Sequence, residues 1–301
     1  MAKKKTVRPL TSHHTEKFLY KFFIDFYNYN YWTYKARILQ LIIENNEPFE
    51  ILFKDEVLSK HPKDNVINSL KFEVYFTLFH STEALFALIF GLMFNKKNLW
   101  FWISEYKFEE INKLINQVSE NGIESFAKGR EKDLLGYLFF ALVPKDHEDN
   151  EKIEKSMQFI NDYLKRLAKE YSDKGDYNSY KHGLRALNIN ASVRMQEQDT
   201  GKPIFESSTD ATVYLGKERV KIDNVEMDKI VLLTKALDYK KAINIIGVNI
   251  ALIHNIIEAR RATLKKKQST QIKFLLFHDR SVADIFKPTI KGSALVSKFK
   301  I

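Results

Sequence analysis

Residues 64–94 read DNVINSLKFEVYFTLFHSTEALFALIFGLMF, and this stretch sets the class of fold. Pro62 stands just ahead of it, and Asp64 is suited to cap a helix that runs to Phe94. Its interior is apolar on nearly every side, so neighbouring helices should cover most of it. The run from Ala84 to Phe94 is the longest apolar stretch. On its own it is shorter than the roughly 20 residues that cross a bilayer. His80 and Glu83 directly precede it, which suits a buried core helix.

Working outward, the same periodicity recurs. From Thr15 to about Glu44 the apolar residues Phe18, Phe22, Phe26, Ala36, Leu39 and Ile43 fall at helical spacing, which predicts one long helix ended by Asn45-Asn46-Glu47-Pro48. Further helices are expected over Leu99–Asn121, Gly122–Leu142 and Glu151–Tyr171, the last marked by Ile153, Met157, Ile160, Leu164 and Leu167. Ser172 to Asp176 reads as a turn that caps a helix beginning at Tyr177.

After Asn190 the pattern changes. Residues Ser192 to Glu197 alternate, Asp199-Thr200-Gly201-Lys202-Pro203 is a turn signal, and Ala211–Leu215 and Arg219–Ile222 read as strands separated by Gly216. Met227–Thr263 reads as one long helix or two consecutive ones, and Gln271–Phe277 as a final short strand. The expected class is therefore mainly α (α+β overall). It is an antiparallel helical bundle with a small antiparallel β insert and a further long helix. The expected division is a disordered basic leader at 1–14, a bundle over 15–190, and a β insert with a C-terminal helix packed on the bundle over 191–301.

Composition limits the chemistry. The chain has 301 residues and no cysteine, which excludes disulfides, thiolate metal sites and cysteine nucleophiles. Lys3-Lys4-Lys5 is followed by no apolar segment, so the start does not read as a secretory signal, and a cytoplasmic location without a membrane is expected. The net charge of +10 attracts nucleic acid weakly and without sequence preference. A lysine-rich solvated surface explains the same number. No Gly-rich phosphate loop, Gly-x-Ser-x-Gly elbow or His-Glu-x-x-His pair is present.

Two helical faces gather polar groups. Glu73, His80 and Glu83 fall near one stripe, and Asn178, His182 and Arg185, spaced by four and three, share another, with Lys181 beside them. A histidine and an arginine on one face combine a titratable group with a phosphate-binding fork. Metal-free RNA cleavage needs that pair: the imidazole moves the proton of the 2′-hydroxyl or leaving oxygen, and the guanidinium stabilises the phosphorane. The structural alternative is that His182-Gly183 packs where two helices cross. A metal held by His80, Glu83 and His182 is short of the carboxylates that such bundle sites use, so no metal or cofactor is expected.

Arg260 and Arg261, with Lys265, Lys266 and Lys267, form a candidate phosphate-binding cluster, although basic residues also suit a helix C-terminus without any ligand. Trp100-Phe101-Trp102 is read as core or interface, His147-Glu148-Asp149 as a solvated loop cluster, and His254 as a satisfied helix histidine.

The stretch Tyr177-Asn178-Ser179-Tyr180-Lys181-His182-Gly183-Leu184-Arg185 resembles the motif region of the HEPN helical-bundle family. In that family an arginine, a polar residue often asparagine, three further residues and a histidine follow one another on a late helix. Asn178 and His182 match the polar residue and the histidine, and Glu83 is similar to an acidic residue on an earlier helix. Tyr177 stands where the family has arginine; Arg185 lies one turn beyond His182 instead.

The resemblance extends to residues 15–190 in architecture and to the quoted stretch in motif. It implies an RNA partner, a homodimer with two motif copies facing each other, and a metal-independent endoribonuclease in a toxin or phage-defence setting. The Tyr177 departure leaves two alternatives: Arg185 substitutes for the missing arginine, or the protein binds without cutting. A non-catalytic interaction or scaffold protein, which dimerises or binds a protein partner, is the competing expectation.

Overall fold

A computed structural model describes residues 13–94, 99–127, 131–141, 148–172, 186–196, 203–222, 225–264, 273–289 and 297–300. The fold is mainly helical with an antiparallel sheet. The helices are α1 (His13–Phe26), α2 (Tyr31–Glu44), α3 (Asn46–Leu52), α4 (Lys63–Phe94), α5 (Leu99–Glu105), α6 (Phe108–Asn121), α7 (Glu131–Phe139) and α8 (Asn150–Ser172), then α9 (Tyr239–Leu264) and α10 (Val282–Ile285) after the main strands. The strands are β1 (Ala186–Gln196), β2 (Pro203–Ile222), β3 (Val225–Ala236) and β4 (Ser297–Lys300), in spatial order β1-β2-β3-β4.

The α4 and α8 expectations hold nearly to the residue, except that Asp64 lies in the first turn of α4 instead of capping it. The single helix expected over 15–44 is two helices, α1 and α2, parted at Tyr27–Asn30. Their periodicity also misleads: Phe18, Phe22 and Phe26 are exposed, and the residues α1 buries are Phe23 and Ile24. The helix expected over 99–121 divides at Tyr106-Lys107, where Lys107 is extended. Helix α6 then stops at Gly122, whose φ of 73° suits glycine and whose N–H bonds the Val118 carbonyl at 2.8 Å. Over 122–142, a 3₁₀ turn at Ile123–Phe126 and the shorter α7 replace one helix.

The sheet is larger than expected. The two strands separated at Gly216 are one strand, β2. It pairs with β1 from Ala186↔Tyr214 to Gln196↔Pro203 and with β3 from Ala211↔Ala236 to Ile222↔Val225. Residues 211–214 serve both neighbours, and all are buried.

The expected helix over 227–263 begins only at Tyr239, because 225–236 is β3. Asp238 caps α9, accepting the Lys241 N–H at 3.0 Å. The strand expected at 271–277 is also corrected, since Lys273–Phe277 joins no sheet. Asn255 of α9 bonds both the N–H and the carbonyl of Leu275, at 2.8 Å each, and the Ser156 hydroxyl accepts the Phe277 N–H at 2.8 Å. Side chains thus satisfy the backbone that a strand partner would otherwise pair.

The chain forms two compact units that interleave along the sequence. The first comprises residues 1–29, 83–165 and 251–278, and the second residues 30–82, 166–250 and 279–301. In the first, Ile111, Ile115 and Val118 of α6 are buried, as are Leu138 and Phe139 of α7 and Ile253, Ile256 and Ile257 of α9. Phe159 stacks on Phe277 with centroids 5.2 Å apart. In the second unit, α4 buries Val74, Phe76 and Phe79, α9 buries Ile245 and Ile246, and the sheet buries Val213, Tyr214 and Val231. A polar knot lies within it. The buried Asn249 amide donates to the Ser81 hydroxyl at 3.1 Å and the Thr82 hydroxyl at 3.0 Å, tying α9 to α4.

Helices α4 and α9 are long and apolar enough to cross a membrane by length and composition alone, each with an 18-residue window of mean hydropathy 1.5. This corrects the shorter count based on 84–94 alone. In the fold, 72% of each window is buried inside the protein, as in the core helices of a soluble protein.

Candidate functional site

Tyr177, Asn178, Lys181, His182 and Arg185 lie outside the described residues, as do the helix expected to start at Tyr177 and the cluster Lys265, Lys266 and Lys267. His147 does so too. The remaining candidates are placed, and most are engaged in holding the fold.

Glu73 pairs with Lys35 of α2 at 2.5 Å. The His80 ring is 5.8 Å from the Trp32 indole. In the first unit, Glu83 accepts a hydrogen bond from the Tyr106 hydroxyl at 3.3 Å. Burial, reinforced by the Glu83 charge and its hydrogen bond, pushes the Tyr106 hydroxyl up to about 12. His254 bonds the Lys273 carbonyl at 3.2 Å and sits edge-on to Tyr29, in keeping with a satisfied helix histidine.

Of the two arginines expected to meet phosphate, Arg260 points inward and Arg261 is partly exposed. Arg260 is 1% exposed. Its guanidinium donates to the Tyr137 carbonyl and lies over the Tyr137 ring, 4.0 Å from the centroid. It also hydrogen-bonds Tyr20, whose hydroxyl burial pushes up to about 12 while the Arg260 charge pulls the other way. Arg261 pairs with Glu258 at 2.5 Å and donates to the carbonyls of Ile24 and Asp25, at 3.2 and 3.4 Å, in the last turn of α1. It thereby satisfies helix-end acceptors that have no intrahelical donor.

Burial keeps Arg260 away from phosphate, and Arg261 makes its bonds within the first unit. The signal was available: Ile253, Ile256, Ile257 and Arg260 follow the i, i+3, i+4, i+7 stripe of a core-facing helix.

The second unit contains a feature that sequence reading missed. A cavity of about 280 Å³ opens among α4, the end of α8, the end of β3 and the start of α9, with Tyr75, Phe79, Tyr171 and Ile245 among its apolar walls. Four charged residues line it: Glu170, Lys235, Asp238 and Lys241. Glu170 is held by Arg166 at 2.9 Å and by Lys241 at 3.1 Å. Asp238, besides capping α9, accepts the Thr289 N–H at 2.6 Å and the Thr289 hydroxyl. The Lys235 ammonium lies 5.7 Å from the Tyr75 ring centroid. The lining residues come from positions 75 to 288, so no local motif could have announced them.

The chain matches no family model, no curated protein and no solved structure.

Proposed function

We propose that this protein engages RNA through residues 177–185, as a HEPN-like, metal-independent endoribonuclease of a toxin or phage-defence setting, working as a cytoplasmic homodimer. The observation that carries the reading is the pair Asn178 and His182 at the family's spacing, with Lys181 and Arg185 on neighbouring positions. The net charge of +10 supports it through the long-range attraction of a polyanion. In this reading His182 transfers the proton, Arg185 stabilises charge on the phosphorane, and Asn178 orients the phosphate. The test is RNA cleavage by the purified protein in EDTA, wild type beside His182→Ala. Cleavage that survives EDTA, leaves 2′,3′-cyclic phosphate ends and vanishes in the variant is the expected result. A folded wild type that cuts none of several RNAs overturns it.

A second reading, a non-catalytic interaction protein, is favoured by a different observation. In the first unit, Phe18, Phe22 and Phe26 form an exposed aromatic stripe on α1, and the exposed Trp100 stacks on Phe22 at 5.8 Å. In the second unit, α2 exposes Tyr31, Tyr34, Ile38 and Leu41. Contiguous apolar faces of this kind mark association surfaces. On this reading the dimer persists in His182→Ala and is lost when Phe18, Phe22 and Phe26 are changed to serine, as measured by sedimentation. A wild-type monomer refutes it.

A further inference from the structure

We propose that the cavity of the second unit is a binding site for a small uncharged molecule of about two fused rings. Its size, its walls and its balance of charge all select that class of ligand, and none of them depends on the RNA reading.

An apolar protein cavity of about 150 Å³ stays dry and takes up benzene. At about 280 Å³ this one holds roughly two fused rings by that comparison. The volume lies just below the usual range of ligand pockets, about 300–1,000 Å³.

The walls of the chamber are core residues. Tyr75, Phe79, Leu167, Tyr171, Ala242 and Ile245 line it, and all are buried. Tyr75 and Phe79 meet edge-on with centroids 5.0 Å apart, and Phe79 and Tyr171 are tilted at 5.7 Å. Rings set at an angle to one another offer a flat ligand one face to stack on and an edge to meet. These wall residues stand on α4, α8 and α9, so regular helices hold the chamber in shape.

The charged residues exclude a charged ligand. Glu170, Lys235, Asp238 and Lys241 are the partly exposed portion of the lining. Two carboxylates stand against two ammonium groups, so the lining carries no net charge that would draw in an anion or a cation. Each of the four also has a partner in the protein. Lys241 pairs with Glu170 at 3.1 Å, and the Lys235 ammonium lies over the Tyr75 ring. Asp238 accepts the Thr289 hydroxyl and the N–H groups of Thr289 and Lys241. Thr82, buried in the same lining, accepts the Asn249 amide at 3.0 Å. A charged ligand must either break one of these contacts or enter without a counter-charge, and burying an unpaired charge costs more than apolar contact returns. An uncharged ligand leaves every one of them in place and gains by burying its own apolar surface.

The experiment is titration of the full chain, followed by calorimetry and by naphthalene fluorescence, with three compounds of similar shape. They are the neutral 2-naphthylmethanol, the anion 2-naphthoate and the cation 2-naphthylmethylamine. The expected result is one site per chain for the alcohol. Both ions should bind at least about tenfold more weakly, as burial of an uncompensated charge requires, with no preference between them. Glu170→Gln removes one carboxylate and tips the balance, so it should shift the ratio of the two ions several-fold towards 2-naphthoate. Ala242→Phe, which fills the chamber, should abolish binding of the alcohol. If that variant misfolds, the three ligands on wild type and the ratio in Glu170→Gln decide, since Glu170 is partly exposed. No saturable binding of the alcohol by the folded wild type would overturn the assignment. So would an ion that binds as tightly as the alcohol, an unchanged ratio in Glu170→Gln, or undiminished binding by a folded Ala242→Phe.

Discussion

Replacing Asn249 by alanine should cost this fold about 2–4 kcal/mol. The amide is fully buried and donates to two hydroxyls, those of Ser81 and Thr82, that are themselves buried. Each such bond contributes about 0.5–1.5 kcal/mol net, so the pair contributes about 1–3. Truncation also leaves a small void whose lining atoms pack less closely, which adds about 1 kcal/mol. Ser81 retains its own bond to the Leu78 carbonyl at 2.9 Å, so much of the loss falls on Thr82. Urea unfolding followed by far-UV circular dichroism measures the change as a shift in midpoint at constant slope. A double-mutant cycle with Thr82→Val should then return a coupling of about 0.5–1.5 kcal/mol. A variant within about 0.5 kcal/mol of wild type, or a cycle that closes without coupling, would refute the claim that this knot holds α9 against α4.

Two other perturbations probe the placed side chains. Arg260→Met should leave the salt dependence of RNA binding unchanged, because Arg260 is buried against Tyr137 and Tyr20. Neutralising Lys265, Lys266 and Lys267 should instead lower the slope of log affinity against log salt, by about 0.7 for each phosphate of single-stranded RNA that a lysine no longer neutralises. A flattened slope for Arg260→Met would contradict its burial. At alkaline pH the hydroxyls of Tyr20 and Tyr106, both raised from 10 to about 12, hold their protons more tightly folded than unfolded. Their contribution is complete below pH 10 and disappears as pH rises from 10 to 12. Tyr106→Phe should make the loss of urea stability across that window shallower, and a slope equal to that of wild type would count against the burial of Tyr106 beside Glu83.

Legibility followed the kind of information each element needs. Helices α4 and α8 could be read because their apolar residues repeat over many turns and no turn residue interrupts them. The division of 15–44 and of 99–121 was not readable, since Phe18, Phe22 and Phe26 keep helical spacing while facing outward. Periodicity reports that a face is apolar; it does not report that anything covers it. In the candidate site, the inward turn of Arg260 was available from the stripe it shares with Ile253, Ile256 and Ile257, but the pairing of Glu83 with Tyr106 brings together positions with no local relation.

Sequence alone therefore determined the mainly helical class, the existence of β structure after residue 190 and the exclusion of cysteine chemistry. Tertiary structure decided the rest. Residues 227–236 contain Ile230, Val231 and Thr234 beside Leu232 and Leu233, a mixture that suits helix or strand. Pairing with β2 makes them β3, since backbone hydrogen bonds to a neighbour outweigh so small a difference in propensity. Lys273–Phe277 shows the converse: a strand-like composition kept out of any sheet because Asn255 and Ser156 had already met its backbone. The cavity belongs wholly to this second kind. Its walls come from positions more than 160 residues apart, and only the folded chain brings their charges to one place.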